Sequence, residues 1–454
     1  MPTDQQRWHF GVLSFTGTGH LTPLLSLAQE LKHRGHRVTF FEKPKIKGRV
    51  LHAGLEFIPI GEGAKSDRTH PPKANFNVLS ELSTLRFNLK RIVHDVEAYL
   101  DQTPPALARA GVNALIVNEV VLTGPTVAQM LGLPYFIIST SVPHIFGWEG
   151  FPPLSGYRYS PTRLSWVQRF FLELSCLRMR GPIRRALNRY RRRIGLGAVH
   201  ELPNKFPHLS HITQLPQCLD LPRTSLPRDF YYAGPFESRA ARPPVAFPWN
   251  RLDGHPLIYA TLGTTRNVQP SVLRLIAEAC HGLHAQLVIS LGNRFDSESF
   301  ADLPGQPVVV GYAPQLELLK VAQLVITHGG SNTVFETLMA GKPMIVIPLA
   351  YDQPATAMRL KRLHIAEVLP IMGLSSKRIR EAIAKVLSDS RFRVSAVEMQ
   401  SQLRMLHGAE RAVDIIEKSL DRYADRPLKP RAIWSGSNSD RSSLNSEATS
   451  CLQR

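Results

Sequence analysis

The sequence lacks several features that would place it in a membrane or in an oxidising compartment. No apolar run reaches about 18 residues, so a membrane-spanning helix is not expected. The four cysteines, Cys176, Cys218, Cys280 and Cys451, are scattered and form no CxxC pair. That spacing argues against structural zinc and predicts a reduced, cytoplasmic protein. The N-terminus has no basic region followed by a long apolar stretch, so a signal peptide is not expected either.

Acidic residues are also few relative to basic ones. The chain has 36 Asp and Glu against 55 Lys and Arg, a net charge of +19. Such a charge can attract nucleic acid, an anionic membrane or an anionic small ligand. There is no nucleic-acid-binding motif and no alternation of aromatic and basic residues, so we expect no nucleic acid partner. The arginine-rich stretch 178–193 has an apolar stripe, which leaves two interpretations: peripheral membrane contact or a solvated basic face.

The length of 454 residues predicts two domains. In each half of the chain, apolar β-branched segments alternate with helical periodicity, which indicates α/β domains with parallel, doubly wound sheets. We expect a first domain at 1–234, a proline-rich linker at 235–256 and a second domain at 257–406. A final helix is predicted at 407–421. The segment 422–454 has few apolar residues and is predicted to be a disordered tail.

The most informative stretch of the sequence runs from residue 310 to 353. A short buried strand at 324–327 ends at His328-Gly329-Gly330-Ser331-Asn332, and a helical pattern follows. At such a turn free N–H groups and the positive helix end face outward, and small residues let a phosphate come close. His328 is placed to add a hydrogen bond to the same anion. Taken alone, the two glycines could equally form only a tight turn.

Polar residues near this turn favour a nucleotide site. Glu336 lies about one helical turn after Asn332, so both can contact one ligand, and a carboxylate beside a nucleotide commonly binds the ribose diol. Asp352 and Gln353 follow the next predicted strand, at the sheet edge where ligands bind in open α/β folds. A second turn of small residues, 261–265, also suits a phosphate, although it could be a simple loop.

A second candidate site lies near the N-terminus. The predicted strand at 9–15 is followed by Gly17-Thr18-Gly19-His20 and then by helical spacing with Pro23 in the first turn. His20 therefore lies between a strand end and a helix N-terminus, whose positive end disfavours the imidazolium. A neutral imidazole can take a proton from a hydroxyl. The alternative is a histidine that only caps the helix, and the partial GxG does not suffice to predict NAD binding.

Together these motifs resemble the donor-binding signature of family 1 nucleotide-sugar glycosyltransferases, in the bacterial branch that is similar to zeaxanthin and macrolide glycosyltransferases. The resemblance covers most of residues 8–420. It implies the GT-B fold, in which two Rossmann-like domains face each other across a cleft and the last helix crosses back to the first domain. Gly19-His20-x-x-Pro23 resembles the family's catalytic-histidine motif. The donor-binding residues that the resemblance implies are Gly263, Thr264, Tyr312, Ala313, Gln315, His328, Gly330, Ser331, Asn332, Thr333, Glu336, Asp352 and Gln353.

The resemblance further implies an inverting transfer of a hexose, with glucose expected first, from a UDP-sugar to a hydroxyl of a small, fairly apolar acceptor. His20 is the expected base. The aromatic-rich residues 141–166 are expected to help line the acceptor pocket, although an irregular loop packed on the domain is an equal alternative. Tyr312 and Gln315 are expected to flank the nucleotide base, and Glu336 the ribose. Asp352 with Gln353 is expected to bind the sugar. No metal and no cofactor besides the donor co-substrate are expected.

The sequence departs from the family pattern beside the catalytic histidine. Family members usually end the strand at 114–117 with an Asp that hydrogen-bonds this histidine, and Asn118 occupies that place here. Glu119 is the alternative partner if the chain turns at the strand end. Two other functions therefore remain open: a catalytically weakened nucleotide-sugar-binding homologue or activator, and another reaction such as epimerisation. The class of acceptor (carotenoid-like, polyketide or phenolic) and the choice of UDP or dTDP also remain open.

Overall fold

The computed structural model describes residues 7–61, 78–143, 181–200, 208–223, 226–237, 244–264, 270–293 and 295–425. Most of the aromatic-rich segment 141–166 and all of the tail after residue 425 lie outside the described residues, as do Arg178 and Arg180. Within the described residues, no helix is both long enough and apolar enough to cross a membrane.

The first α/β unit is a sheet of seven parallel strands in the order β3-β2-β1-β4-β5-β6-β7. Both faces carry helices, which explains why strands such as β1 and β4 are buried along their whole length. Its strands are β1 (His9–Leu13), β2 (Arg37–Glu42), β3 (Glu56–Pro59), β4 (Ala114–Asn118), β5 (Tyr135–Ser139), β6 (Ser210–Thr213) and β7 (Phe230–Tyr232). Its helices are α1 (Thr18–His33), α2 (Lys47–His52), α3 (Val78–Ala110), α4 (Gly124–Leu131) and α5 (181–193).

The second unit is a sheet of six parallel strands in the order β10-β9-β8-β11-β12-β13. Its strands are β8 (Leu257–Thr261), β9 (Gln286–Ser290), β10 (Val308–Val310), β11 (Ala322–Thr327), β12 (Met344–Val346) and β13 (Ala366–Val368). Its helices are α6 (Pro270–Cys280), α7 (Gln315–Val321), α8 (Ser331–Met339), α9 (Gln353–Arg362), α10 (Ser376–Ser388) and α11 (Ser390–Arg404). The predicted class, two parallel doubly wound α/β units, is therefore confirmed.

The last helix, α12 (Gly408–Asp425), packs on the first sheet although it follows the second in sequence. Its apolar side chains, among them Val413 and Ile416, are buried with α1. Arg34, directly after α1, also contacts Asp414 and Glu417, at 2.7 and 2.9 Å. The helix extends four residues beyond the predicted end at residue 421, since its polar face continues through Arg422, which donates to Ser419 Oγ at 3.1 Å.

Helix α5 buries the apolar stripe on which the membrane hypothesis depended. Ile183, Leu187 and Tyr190 lie in the core of the first unit, so within the described part of this stretch the stripe is not available for insertion into lipid. Arg191 is buried too and donates to Thr126 Oγ1 at 3.0 Å. The other arginines of α5 are exposed. Membrane contact stays a prediction, and in this helix it could rest only on charge.

Candidate active site

His20 lies in the first turn of α1, at the carboxyl end of β1, as the sequence predicted. Its Nδ1 is 2.7 Å from the hydroxyl of Thr140, the residue directly after β5. The exposed ring of Phe15 meets the imidazole edge to face, with 5.5 Å between ring centroids. With Nδ1 directed at Thr140, the other ring nitrogen is the one that can take a proton from a substrate.

Asn118 reaches His20 through Thr140 and not directly. The Asn118 amide donates to Thr140 Oγ1 at 3.2 Å, and its carbonyl oxygen accepts the N–H of Val120 at 3.2 Å. Thr140 is buried, so its hydroxyl is held between the imidazole and the amide. Sequence reasoning missed Thr140. Its position was the available signal. Thr140 directly follows β5, and β5 lies next to β4, so both strands end at the same edge of the sheet.

Glu119 belongs to a different cluster from His20. Strand pairing continues past Asn118, because the N–H of Glu119 donates to the Ile138 carbonyl at 2.9 Å. The Glu119 side chain therefore points to the other face of the sheet, where it accepts from Ser139 Oγ at 2.6 Å and lies 3.8 Å from His211 Nε2. A turn does follow the strand at residues 119–120, with the Val121 N–H donating to the Asn118 carbonyl at 2.8 Å, but it leaves the Glu119 side chain on Ser139. The suggestion that Glu119 replaces the family's Asp is therefore corrected.

The glycine turn after β11 places backbone donors at the N-terminus of α8. Gly329 has φ +86° and Gly330 is the N-cap. No side chain among the described residues caps this end, and the N–H groups of Ser331, Asn332 and Thr333 have no helical partners. Thr264 is exposed at the end of the neighbouring strand β8. This arrangement is suited to a diphosphate.

His328 lies beneath this turn and is neutral. A Cβ atom at Gly263 or at Gly330 would overlap its ring, so both glycines are needed to cover it. Burial lowers the pKa of His328 to about 4, although a hydrogen bond to the Thr261 backbone acts the other way. At pH 7 the ring therefore cannot offer a positive charge to a phosphate; it can offer shape and an N–H group.

The residues expected around the nucleoside also lie together. Gln315 donates to Glu336 Oε2 at 2.6 Å and accepts from the Tyr259 hydroxyl at 3.2 Å. Tyr312 is 44% exposed, whereas Ala313 beside it is buried. The hydrogen bond from Gln315 holds the Glu336 carboxylate in place. A carboxylate has acceptor sites for several hydrogen bonds, so it can also accept from a ribose hydroxyl.

Asp352 and Gln353, expected at the sugar, differ in what they can offer. Asp352 accepts from Ser331 Oγ at 3.2 Å and is partly exposed. Gln353 is buried, and its carbonyl oxygen accepts from the N–H groups of Leu349 and Ala350 at 2.8 and 2.9 Å. That oxygen holds the loop before α9, so only the amide N–H groups of Gln353 are left for a sugar. Among the described residues no three His, Cys, Asp or Glu side chains form a metal-binding group.

The acceptor-side and donor-side residues lie close together, because α1 and α8 contact each other. The Gln214 amide donates both to the Thr140 carbonyl and to Asn332 Oδ1, the latter at 3.4 Å. His20 and Asn332, each in the first turn of its helix, are thus connected through two intervening residues. The structure therefore brings the predicted base to the predicted diphosphate site.

Two family models match the chain: the glycosyltransferase family 28 N-terminal domain over residues 12–143 and the C-terminal domain over residues 266–417. Zeaxanthin glucosyltransferase of Pantoea ananas is 28% identical over 429 residues, covering 90% of this chain and 95% of that protein. NDP-glycosyltransferase YjiC of Bacillus subtilis is 26% identical, covering 92% and 99%.

Solved structures give the same fold. The glycotransferase of kitacinnamycin superposes with a TM-score of 0.71 at 22% identity, covering 91% of this chain and 99% of that one. Glycosyltransferase VinC, solved in complex with dTDP, has a TM-score of 0.65 at 19% identity, with the same coverage. The two family models span more than half of the 454 residues, in the order of the two sheets. The chain therefore belongs to the glycosyltransferases with family 28 N- and C-terminal domains, has the GT-B fold and is a transferase, as its motifs predicted.

Proposed function

We propose that this transferase moves a hexose from UDP to a hydroxyl of a small, fairly apolar acceptor, with inversion at the anomeric carbon. The observation that carries the proposal is the approach of α1 to α8, together with the hydrogen bonds that connect His20, through Thr140 and Gln214, to Asn332 in the first turn of α8. A base and an anion site that face each other suit attack from the side opposite the leaving diphosphate.

The reaction needs one proton transfer and one displacement. Nε2 of His20 takes the acceptor hydroxyl proton while Nδ1 stays on Thr140. The acceptor oxygen forms a bond to the anomeric carbon as the bond from that carbon to the diphosphate oxygen breaks. The electron pair goes to the diphosphate, and the N–H groups at the start of α8 stabilise its charge. These N–H groups act as dipoles and carry no net charge. His328 beneath them is uncharged at neutral pH as well.

Support for UDP comes from Glu336. A carboxylate accepts hydrogen bonds from both hydroxyls of a ribose diol, whereas the deoxyribose of dTDP offers only one. The Glu336 carboxylate is held by Gln315 at 2.6 Å, in the region expected for the sugar of the nucleoside. The similarity to zeaxanthin glucosyltransferase supports glucose as the first hexose to test.

Support for an apolar acceptor comes from the surroundings of His20. Phe15 is 43% exposed and its ring meets the imidazole. Similar proteins include zeaxanthin glucosyltransferase and oleandomycin glycosyltransferase, whose names refer to a carotenoid and a macrolide. An exposed aromatic ring beside the base favours acceptors with an apolar body near the reacting hydroxyl.

The proposal is tested by incubating the purified chain with UDP-glucose, UDP-galactose and dTDP-glucose against carotenoid, macrolide and phenolic acceptors. The products are detected by mass, and the anomeric configuration is read by NMR. A hexose added to an acceptor hydroxyl with inverted configuration is the expected result. Product with dTDP-glucose but not with UDP-glucose would contradict the donor assignment, and retained configuration would contradict the mechanism.

A second candidate function is a nucleotide-sugar-binding homologue with weakened catalysis, or an activator of a partner transferase. It is favoured by Asn118, because the place that holds Asp in the family holds an amide that reaches His20 only through Thr140. This alternative predicts that the chain binds UDP-glucose tightly but transfers no sugar to any acceptor in the same panel.

A further inference from the structure

We propose that Gln214 is a positioning residue that couples the donor site to the orientation of His20. The inference rests on the proposed transferase function and deepens it. Gln214 is buried directly after β6, at the carboxyl edge of the first sheet. Its side-chain amide lies between the two halves of the site, one from each α/β unit.

The contacts of Gln214 are specific to an amide. Its Nε2 donates to the backbone carbonyl of Thr140 and also to Asn332 Oδ1, at 3.4 Å. Both partners are acceptors, so the site needs a group with two N–H donors. Thr140 is the residue whose hydroxyl holds His20 Nδ1 at 2.7 Å. Gln214 thus fixes the backbone of the residue that orients the base.

The segment that follows Gln214 is attached to the second unit. Leu215 and Leu219 are buried in a core cluster with residues of the second sheet. Asp220 accepts from Arg359 of α9 at 2.6 and 3.0 Å. The segment 214–220 therefore begins at the sheet of the first unit and is held by the second unit. The position of Gln214 thus depends on both units.

A consequence follows for a ligand at the start of α8. A diphosphate bound there contacts the first turn, to which Asn332 belongs. An ordered Asn332 gives Gln214 a fixed partner, and Gln214 in turn holds Thr140 and, through its hydroxyl, the imidazole. The 3.4 Å distance to Asn332 is long for a hydrogen bond, and such bonds shorten when substrates close a site. Donor binding should then improve the alignment of His20.

The first test compares Gln214→Glu, which keeps the shape but removes both donors, with Gln217→Ala, an exposed glutamine in the same segment. We expect Gln214→Glu to lower kcat about tenfold or more, while the KM for UDP-glucose changes less than about threefold. Gln217→Ala should match the parent. A change confined to KM, or equal effects of both variants, would overturn the proposal.

Coupling to Asn332 is measured by a double-mutant cycle. Gln214→Leu should reduce kcat severalfold less in an Asn332→Ala background than in the parent, since the shared hydrogen bond is already lost. Equal reductions in the two backgrounds would show that the residues act independently and would overturn the proposal. If Gln214→Leu does not fold, Gln214→Glu takes its place in the cycle.

A measurement without turnover separates this inference from the proposed function. The His20 ring is observed by NMR in histidine-labelled protein, is assigned with His20→Gln, and is followed while UDP is added. In the parent the His20 signal should move as UDP binds, and in Gln214→Glu it should move much less at the same UDP occupancy. An equal movement in both, or no movement in the parent despite binding, would overturn the coupling alone. A parent that does not bind UDP would overturn the proposed donor and this inference with it.

Discussion

A threonine hydroxyl separates the proposed base from the residue that stands in for the family's aspartate. Nδ1 of His20 is 2.7 Å from Thr140 Oγ1, and the Asn118 amide donates to the same oxygen at 3.2 Å. For His20 to act as a base its Nδ1 carries the hydrogen, so Thr140 Oγ1 accepts twice. The hydroxyl fixes the ring tautomer, but it does not bring a negative charge to the imidazolium that forms during transfer.

The first residue-scale prediction concerns His20 itself. His20→Ala should lower turnover by about 10² or more, because general-base catalysis contributes about that much. Affinity for UDP should stay nearly unchanged, since a base acts on the acceptor. His33→Ala, an exposed histidine at the end of the same helix, is the control. Near-parental turnover of His20→Ala in steady-state assays would show that His20 is not the base.

Replacing Asn118 tests the connection from this residue through Thr140 to His20. In Asn118→Asp the Thr140 hydroxyl can donate to the new carboxylate and still accept from His20, which stabilises the imidazolium through one intervening group. The rate should rise near and above neutral pH, and the acidic limb of the pH–rate profile should move to higher pH. Because Glu119 is turned to Ser139 and His211, Glu119→Gln should leave the pH profile unchanged. An unchanged pH–rate profile in Asn118→Asp would count against an effect of residue 118 on His20 through the Thr140 hydroxyl.

Helix α8 contributes both the diphosphate site and the proposed ribose ligand. Glu336→Ala should weaken binding of free UDP about tenfold to a hundredfold, the cost of about 1–3 kcal/mol for losing a hydrogen-bonding partner in a partly buried site. UDP-glucose should lose as much, and calorimetry measures both. Glu317→Ala on the exposed face of α7 is the control. A loss seen only with UDP-glucose would move Glu336 from the ribose to the hexose.

The end of strand β2 carries a carboxyl group whose protonation affects stability. Burial raises the pKa of Glu42 to about 6, although hydrogen bonds from Tyr99 and from the Lys43 N–H act the other way. The ordinary value is 4.5, so the folded protein binds the extra proton between the two pH values. Stability from this group therefore falls as pH rises from about 4.5 to 6, and the cost of about 2 kcal/mol is complete above that range.

Glu42→Gln should consequently raise the free energy of unfolding at pH 7.5 by roughly 1–2 kcal/mol, because the amide keeps an acceptor oxygen without a buried charge. The gain should shrink towards pH 4.5. Urea unfolding of parent and variant at several pH values measures the difference. A variant less stable than the parent at pH 7.5 would mean that the charge is needed by its hydrogen-bonding neighbours.

At the scale of the molecule, a buried ion pair joins the two units. Burial alone would raise the pKa of Asp220, but Arg359 and Arg223 hold it below its ordinary value. Arg359 lies 5% exposed on α9, the helix that begins at Gln353. The pair therefore fixes the helix next to the expected sugar site against the segment that follows β6. Its stabilising effect is present above the ordinary aspartate pKa and is lost as pH falls through the lowered one.

Arg359→Met should destabilise the protein by about 3 kcal/mol, the lower part of the range for breaking a buried pair, because Arg223 still contacts Asp220 at 2.7 Å. Arg362→Met, exposed on the same helix, should change stability by less than about 0.5 kcal/mol. The difference between Arg359→Met and the parent should disappear in acid, where Asp220 is protonated. Thermal or urea unfolding at neutral and acidic pH measures both effects. A cost that persists unchanged in acid would show that Arg359 acts by packing and not by charge.

The sequence determined the two parallel α/β units and both strand-to-helix turns of the candidate site. These features depend on local signals: buried β-branched runs, helical spacing and glycines where the chain must turn tightly. His20, the 328–332 turn and Glu336 are each within a few residues of such a signal. For the same reason the strand-to-helix turns around these residues agree with the prediction. Helix α12, in contrast, extends four residues beyond its predicted end.

Which side chains meet depends on tertiary packing. Thr140 is 120 residues from His20, Gln214 is 118 residues from Asn332 and Asp220 is 139 residues from Arg359. Such contacts follow from strand order and from the packing of one sheet unit on the other, which no local pattern encodes. The face to which Glu119 points was likewise settled by one backbone hydrogen bond to β5. The sequence thus determined the chemical groups of the site, and the packing of the two units decided their partners.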